Sequence, residues 1–265
     1  MLFPCITFIN FKAAAAGANI VLADESKNKI YGSYVAEIYE EYELNEEGTE
    51  VIDSKKLHKY DGAIYSRRSM NISGNGKLEV VAENEGIGSE MHLTINGGDI
   101  QIKSGNDGIN TSKDDISVFA MNAGELNIQV TGETGEGDGI DSNGWLVING
   151  GDVKSFACAA SMDAGIDADK GIYINGGTVA ATGNMPAEIG DGKLTAMIFN
   201  SKEKLEAGKK YEVKNAEGDV IMEISPKNAC TMVAVASEAI IAEDTYTLWQ
   251  GDTELATGFS GPMEM

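Results

Sequence analysis

Proline is scarce in this chain, with 4 among 265 residues, while glycine is plentiful, with 32. A backbone so rarely interrupted by proline keeps its N–H groups free to pair, and the glycines supply tight turns, so the balance favours many short strands. Basic residues are also in deficit: 20 Lys and Arg face 42 Asp and Glu, a formal charge of −22. That field repels nucleic acid and anionic membrane surfaces and makes cations the natural partners. Three cysteines, Cys5, Cys158 and Cys230, are scattered without a Cys-x-x-Cys pair, so neither a zinc site nor a disulfide framework is indicated. No run of eighteen apolar residues occurs, which excludes a helical membrane span on length. Aromatic residues, at 7%, form no stripe visible in the sequence.

The opening residues, MLFPCITFINFKAAAAGA, hold an apolar run with no basic segment before it and with Lys12 inside it, so a cleaved signal peptide is not evident. Thr7-Phe8-Ile9-Asn10 instead echoes Leu93-Thr94-Ile95-Asn96. That echo predicts a structural rung at the start of the chain, with sequence missing upstream.

What the chain does have is a repeated phrase. DGIDSNGWLVINGGDV returns as AGIDADKGIYINGGTV. The Gly or Ala before the isoleucine falls at Ala63, Gly86, Gly108, Gly139 and Gly165, at intervals of 23, 22, 31 and 26. The Asn position of the second half falls at Ser73, Asn96, Asn122, Asn149 and Asn175, at intervals of 23, 26, 27 and 26. A period of this size marks a solenoid. Superimposing the units yields four apolar columns: Ile64, Ile87, Ile109, Ile140 and Ile166; Met70, Leu93, Phe119, Leu146 and Ile172; Ile72, Ile95, Met121, Ile148 and Ile174; and Leu78, Ile100, Leu126, Val153 and Val179. Alternation within each run has the strand period of two, and no segment is long enough to be a helical crossover. The units must therefore coil, with turns stacked about 4.8 Å apart and like residues above like. The INGG phrase serves the corner: Asn tolerates a left-handed turn, and stacked amides can bond along the column.

The pattern changes from about Pro186, so residues 1–185 are assigned to the solenoid and 186–265 to a C-terminal antiparallel β cap or small β domain. Four strand-like runs are expected there, at Lys210–Val213, Val220–Ile224, Met232–Val235 and Tyr246–Trp249, with a hairpin turn at Ala216–Asp219 and Trp249 in the core. Residues 37–50 carry seven Glu in fourteen residues and are expected to form a solvated loop.

An acidic column follows the isoleucines. The residue before the Gly reads Glu85, Asp107, Asp138 and Ala164, with Asp163 displaced by one; two after the Gly come Gly88, Asn110, Asp141 and Asp167. Carboxylates stacked about 5 Å apart repel by roughly 1 to 3 kcal/mol unless a cation lies between them. Calcium suits oxygen donors of this kind, which makes Asp107, Asn110, Asp138, Asp141, Asp163 and Asp167 the candidate ligands. The alternative is that Asp-Gly is simply a good turn whose charges are solvated. The two arginines, Arg67 and Arg68, lie on the rung that lacks acids, and His58 and His92 show no partner arrangement.

These phrases, with NDGINTSKDDISV before them, resemble the bacterial secreted carbohydrate-binding domain family typified by a polygalacturonate-binding protein of cellulolytic clostridia. The resemblance is clear over residues 60 to 185, looser beyond and weak at the N-terminus; Ser66-Arg67-Arg68-Ser69 departs from the family's Ser-Lys-Asp-Asp turn, which Ser112–Asp115 keeps. It implies an all-β, right-handed single-stranded parallel β-helix, bound calcium, an extracellular or cell-surface location, and non-catalytic binding of acidic plant polysaccharide; a monomer is the expected state. A pectate-lyase-like enzyme, which would need an Arg or Lys base beside the metal, and a structural stalk are the alternatives.

Overall fold

Each isoleucine column becomes a row of hydrogen-bonded partners. The computed structural model describes residues 9–10, 17–32, 39–56, 62–190 and 192–259, and every regular element among them is a strand. The solenoid has about five turns. One five-stranded parallel sheet stacks Ile9–Asn10, Ile64–Ser66, Ile87–Ser89, Ile109–Thr111 and Ile140–Ser142, and Ile166 extends it by one bridge to Ile140. The remaining strands of each turn join a twelve-stranded sheet.

The register agrees with all four columns. Met70, Leu93, Phe119, Leu146 and Ile172 are successive partners, as are Ile72, Ile95, Met121, Ile148 and Ile174. Leu78, Ile100, Leu126, Val153 and Val179 form the fourth row. Nearly all of these side chains are fully buried in one continuous cluster, each contributing about 1.5 to 3 kcal/mol by leaving water.

The corner after the third column works as the turn chemistry predicts. Asn122 donates to Asn96 at 2.8 Å, Asn149 to Asn122 at 2.9 Å and Asn175 to Asn149 at 2.9 Å. Two corners differ from expectation in being strand throughout: His92–Ser104 and Val118–Val130 each run unbroken, with register shifts at the Asn-Gly positions. Stacked corners pair with each other just as strands do, so a turn inside a rung need not end a ladder. A second row went unread in the sequence: Ser66, Ser89, Thr111 and Ser142 are in register and fully buried or nearly so. Their hydroxyls serve the adjoining corner, Ser142 donating to the Trp145 carbonyl at 3.1 Å and Ser89 to the Arg68 carbonyl at 3.1 Å.

The N-terminal rung is present in a different register. Ile9 pairs with Ile64, in the first column, and Ile20 pairs with Ile72; the echo of Ile95 at Ile9 is therefore a coincidence of sequence, and Ile20 takes that place. Thr7 and Phe8 lie outside the described residues, as do Cys5 and His58. The glutamate-rich segment is a hairpin in place of a loop: Tyr39–Leu44 pairs antiparallel with Val51–Lys56, and Asn45 closes the turn by accepting the Thr49 N–H at 2.8 Å.

At the other end an antiparallel strand covers the last turn. Cys230–Ala236 pairs with Thr178–Gly183 of the solenoid on one side and with Ala196–Leu205 on the other. Such pairing hides the backbone edge that a solenoid otherwise exposes. Tyr211–Lys214, Val220–Ile224, Thr247–Gln250 and Thr253–Thr257 form a separate four-stranded antiparallel sheet, with the expected hairpin turn, Asn215 N–H bonding to the Asp219 carbonyl at 3.1 Å. Trp249 is not core. Leu248 turns inward and is fully buried, which places Trp249 on the outer face, where the Lys214 ammonium lies 4.7 Å from its ring centre.

Candidate functional site

Isoleucine points inward at the Gly-Ile bend, so its neighbours point out, and stacking brings those neighbours together. Asn110 is the register partner of Asp141, and Asp167 follows on the next turn, its N–H bonded to the Ile140 carbonyl at 2.8 Å. One carboxylate oxygen from each of Asp138, Asp141 and Asp167 lies within 4.8 Å of the others. All three residues are half-buried.

The other three sequence candidates take different positions. Asp107 lies one turn below, where Oδ1 accepts the Asp138 N–H at 2.8 Å and Oδ2 accepts from Asn110 Nδ2 at 3.4 Å. Asp163 stands apart from the trio: its Oδ2 accepts the Gly137 N–H at 2.6 Å and the Ser161 hydroxyl. Being one residue early in its unit, it reaches back to the loop that precedes the turn below. Asn110 donates to Glu85 at 3.0 Å, which leaves its Oδ1 buried with no partner.

The electrostatics follow from burial of like charges. Desolvation, reinforced by neighbouring carboxylates, pushes the Asp138 carboxyl up to about 8 and the Asp141 carboxyl up to about 7. Desolvation raises Asp107 to about 6 despite the N–H it accepts, and raises Asp167 too. Ionised together, these groups favour a cation that neutralises them. The donor set is oxygen only, three carboxylates with an unsatisfied amide oxygen beside them, which fits a hard divalent ion such as calcium. Asp138, Asp141, Asp167 and the Asn110 carbonyl are the residues that could hold it.

A lyase base is less well provided for. Arg67 donates through Nε to Glu90 at 3.3 Å, on the Ala63 turn and three turns from Asp138 in the stack. Lys170, close in sequence to Asp167, is ion-paired with Asp115. His92 keeps a buried Nδ1 without a partner.

Fold and site together define a β-solenoid protein that carries an acidic, oxygen-lined cluster on one side of its stacked turns. The family model described as carbohydrate-binding domain-containing protein matches residues 8–261, and the chain belongs to that family. The match extends well beyond residues 60–185, over both the N-terminal rungs and the C-terminal sheet. No curated protein and no solved structure matches the chain.

Proposed function

We propose that this protein binds an acidic polysaccharide of the polygalacturonate type outside the cell, through calcium held by Asp138, Asp141 and Asp167. The observation that carries the reading is the convergence of three half-buried carboxylates in a member of a carbohydrate-binding family. A chain of charge −22 repels a polyanion unless positive charge is placed between them. Bound calcium supplies that charge. The protein's own part is to fix the oxygens: Asp138 is anchored by the Ala164 N–H at 2.6 Å, and Asp141 and Asp167 are placed on successive turns by the isoleucines before them.

The test is retention on polygalacturonate with calcium and with chelator, read together with absorbance of unsaturated product. Retention with calcium, loss with chelator and no product is the expected result. Retention indifferent to chelator removes calcium from the function, product formation makes the protein a lyase, and no retention in either condition leaves a structural stalk.

A further inference from the structure

Asparagine followed by glycine occurs five times, at Asn75, Asn96, Asn143, Asn149 and Asn175. Asparagine is thermolabile, and most so before glycine, whose nitrogen has no side chain beside it to block attack on the asparagine Cγ. In that attack a C–N bond forms, the Cγ–Nδ2 bond breaks, and ammonia leaves with the glycine N–H proton, closing a cyclic succinimide. Water then opens the ring: addition at Cγ gives aspartate, and addition at the backbone carbonyl gives isoaspartate. Closure requires the side chain to leave its place and turn onto its own backbone, so whatever holds the amide protects it.

Four of these amides are held by the nitrogen that would leave. Asn75 Nδ2 donates to Asp24 at 2.9 Å and Asn143 Nδ2 to Asp114 at 2.8 Å. The glycine N–H that follows each is bonded too, Gly76 to the Leu22 carbonyl at 3.2 Å and Gly144 to Ser142 Oγ at 3.3 Å. Asn149 and Asn175 are held at both ends: each donates at 2.9 Å to the asparagine of the turn before, and each accepts, from Asn175 Nδ2 and from the Lys193 N–H respectively. Asn96 ends the row. Its Oδ1 accepts from Asn122 at 2.8 Å, but Ile95 pairs with Ile72, so the place below Asn96 falls to Ser73, and among the described residues Asn96 Nδ2 has no partner. The residue is exposed. Its backbone lies at an interruption of the ladder: Gly97 has no register partner on either side, because pairing skips from Asn96 to Asp99 on one and from Ile95 to Asp99 on the other.

We propose that Asn96 is the site at which the folded protein is modified by deamidation, and that the aspartate so formed stays in the amide row. Gly150 and Gly176 are more open than Gly97, so access to the attacking nitrogen alone would favour Asn149 and Asn175. Two amide bonds at each reverse that order. The product points the same way, because a carboxylate only accepts. At position 96 the lost donor had no partner, and the bond received from Asn122 becomes charge-assisted. At position 149 or 175 a carboxylate would face the Oδ1 of the preceding asparagine, acceptor against acceptor. The inference stands on the amide row and requires neither calcium nor a polysaccharide.

The test incubates the full chain, folded and urea-unfolded in parallel, in mildly alkaline buffer made with oxygen-18 water, followed by digestion and mass mapping. In the folded chain, label is expected at Asn96 at least tenfold faster than at Asn75, Asn143, Asn149 or Asn175; in the unfolded chain all five are expected to convert at similar rates. Asn122→Ala, which leaves Asn149 Nδ2 without its acceptor, is expected to raise conversion at Asn149 at least tenfold. The product is tested separately: N96D is expected to melt as the parent does and N149D at a lower temperature. Conversion of Asn149 or Asn175 as fast as Asn96 in the folded chain, no conversion at Asn96, or equal melting of N96D and N149D overturns the proposal.

Discussion

Asp138 accepts the backbone N–H of Ala164, one turn away, at 2.6 Å, and the same carboxyl belongs to the converging trio. It therefore fastens two turns together as well as lining the site. Asp141 and Asp167 do not share that bond between turns, which makes them the better probes of function.

Changing Asp141 and Asp167 together to Asn keeps side-chain volume and removes two ligand charges. The expected outcome is a folded protein with calcium affinity and polygalacturonate retention lowered at least tenfold, and partly restored by excess calcium. Calorimetric titration with calcium and a retention assay check it; undiminished retention in chelator would refute the calcium mechanism.

The metal-free protein is expected to lose stability as pH rises. Asp138, Asp141 and Asp107 have an ordinary value of 3.8 and are raised in the folded state to about 8, about 7 and about 6. Folding therefore takes up protons through this window, and the stability it confers is full below about pH 4 and lost as pH rises through the folded values. A melting temperature in chelator that falls between pH 5 and pH 8 is the expected observation, other carboxylates acting in the opposite sense at the acid end. Calcium should reverse the trend at pH 8: at a hundredfold excess over its dissociation constant it adds about 2.7 kcal/mol, roughly 5 °C for a chain of this size. A melting temperature unchanged by calcium at pH 8 would count against the site.

Gly139 is where the bend has no room for a side chain. A Cβ there would lie 2.3 Å from the Gly165 carbonyl oxygen and 1.9 Å from Ser155 Oγ, so backbone must move to admit it. Gly139→Ala should destabilise by about 1 to 3 kcal/mol and spread the trio, lowering calcium affinity as well as the melting temperature. Gly135→Ala, with nothing within 4 Å of its Cβ position but a φ of +99°, should cost stability alone; equal calcium affinity in the two variants would show that the bend does not set the site.

The core was legible because each turn repeats the same demand: Ile64, Ile87, Ile109, Ile140 and Ile166 meet one environment, and a shared environment leaves a column in the sequence. The same reasoning located the acidic residues. Which of them converge was not legible, since the one-residue displacement of Asp163 decides whether its carboxyl joins Asp138 or turns to the Gly137 N–H. Outside the repeat, strands were visible but their faces were not. Thr247–Gln250 alternates, yet only its partners on either side determine that Leu248 faces inward and Trp249 outward. Ala196–Leu205 passed unnoticed because its buried first four residues show no alternation.

The asparagine row has a direction. Every amide in it donates toward the N-terminal end, Asn175 to Asn149, Asn149 to Asn122 and Asn122 to Asn96, and the Lys193 N–H feeds the far end at 3.3 Å. Aligned amide dipoles polarise one another, so the row behaves as one extended dipole laid along the solenoid axis, with its donor pole at Asn96 and its acceptor pole at Asn175 met by the Lys193 N–H. Reversing a single amide in the middle would set donor against donor on one side and acceptor against acceptor on the other. The solenoid thus carries its chain polarity on its surface as well as in its backbone, and a ligand lying along the amides would meet a different hydrogen-bonding order from each end.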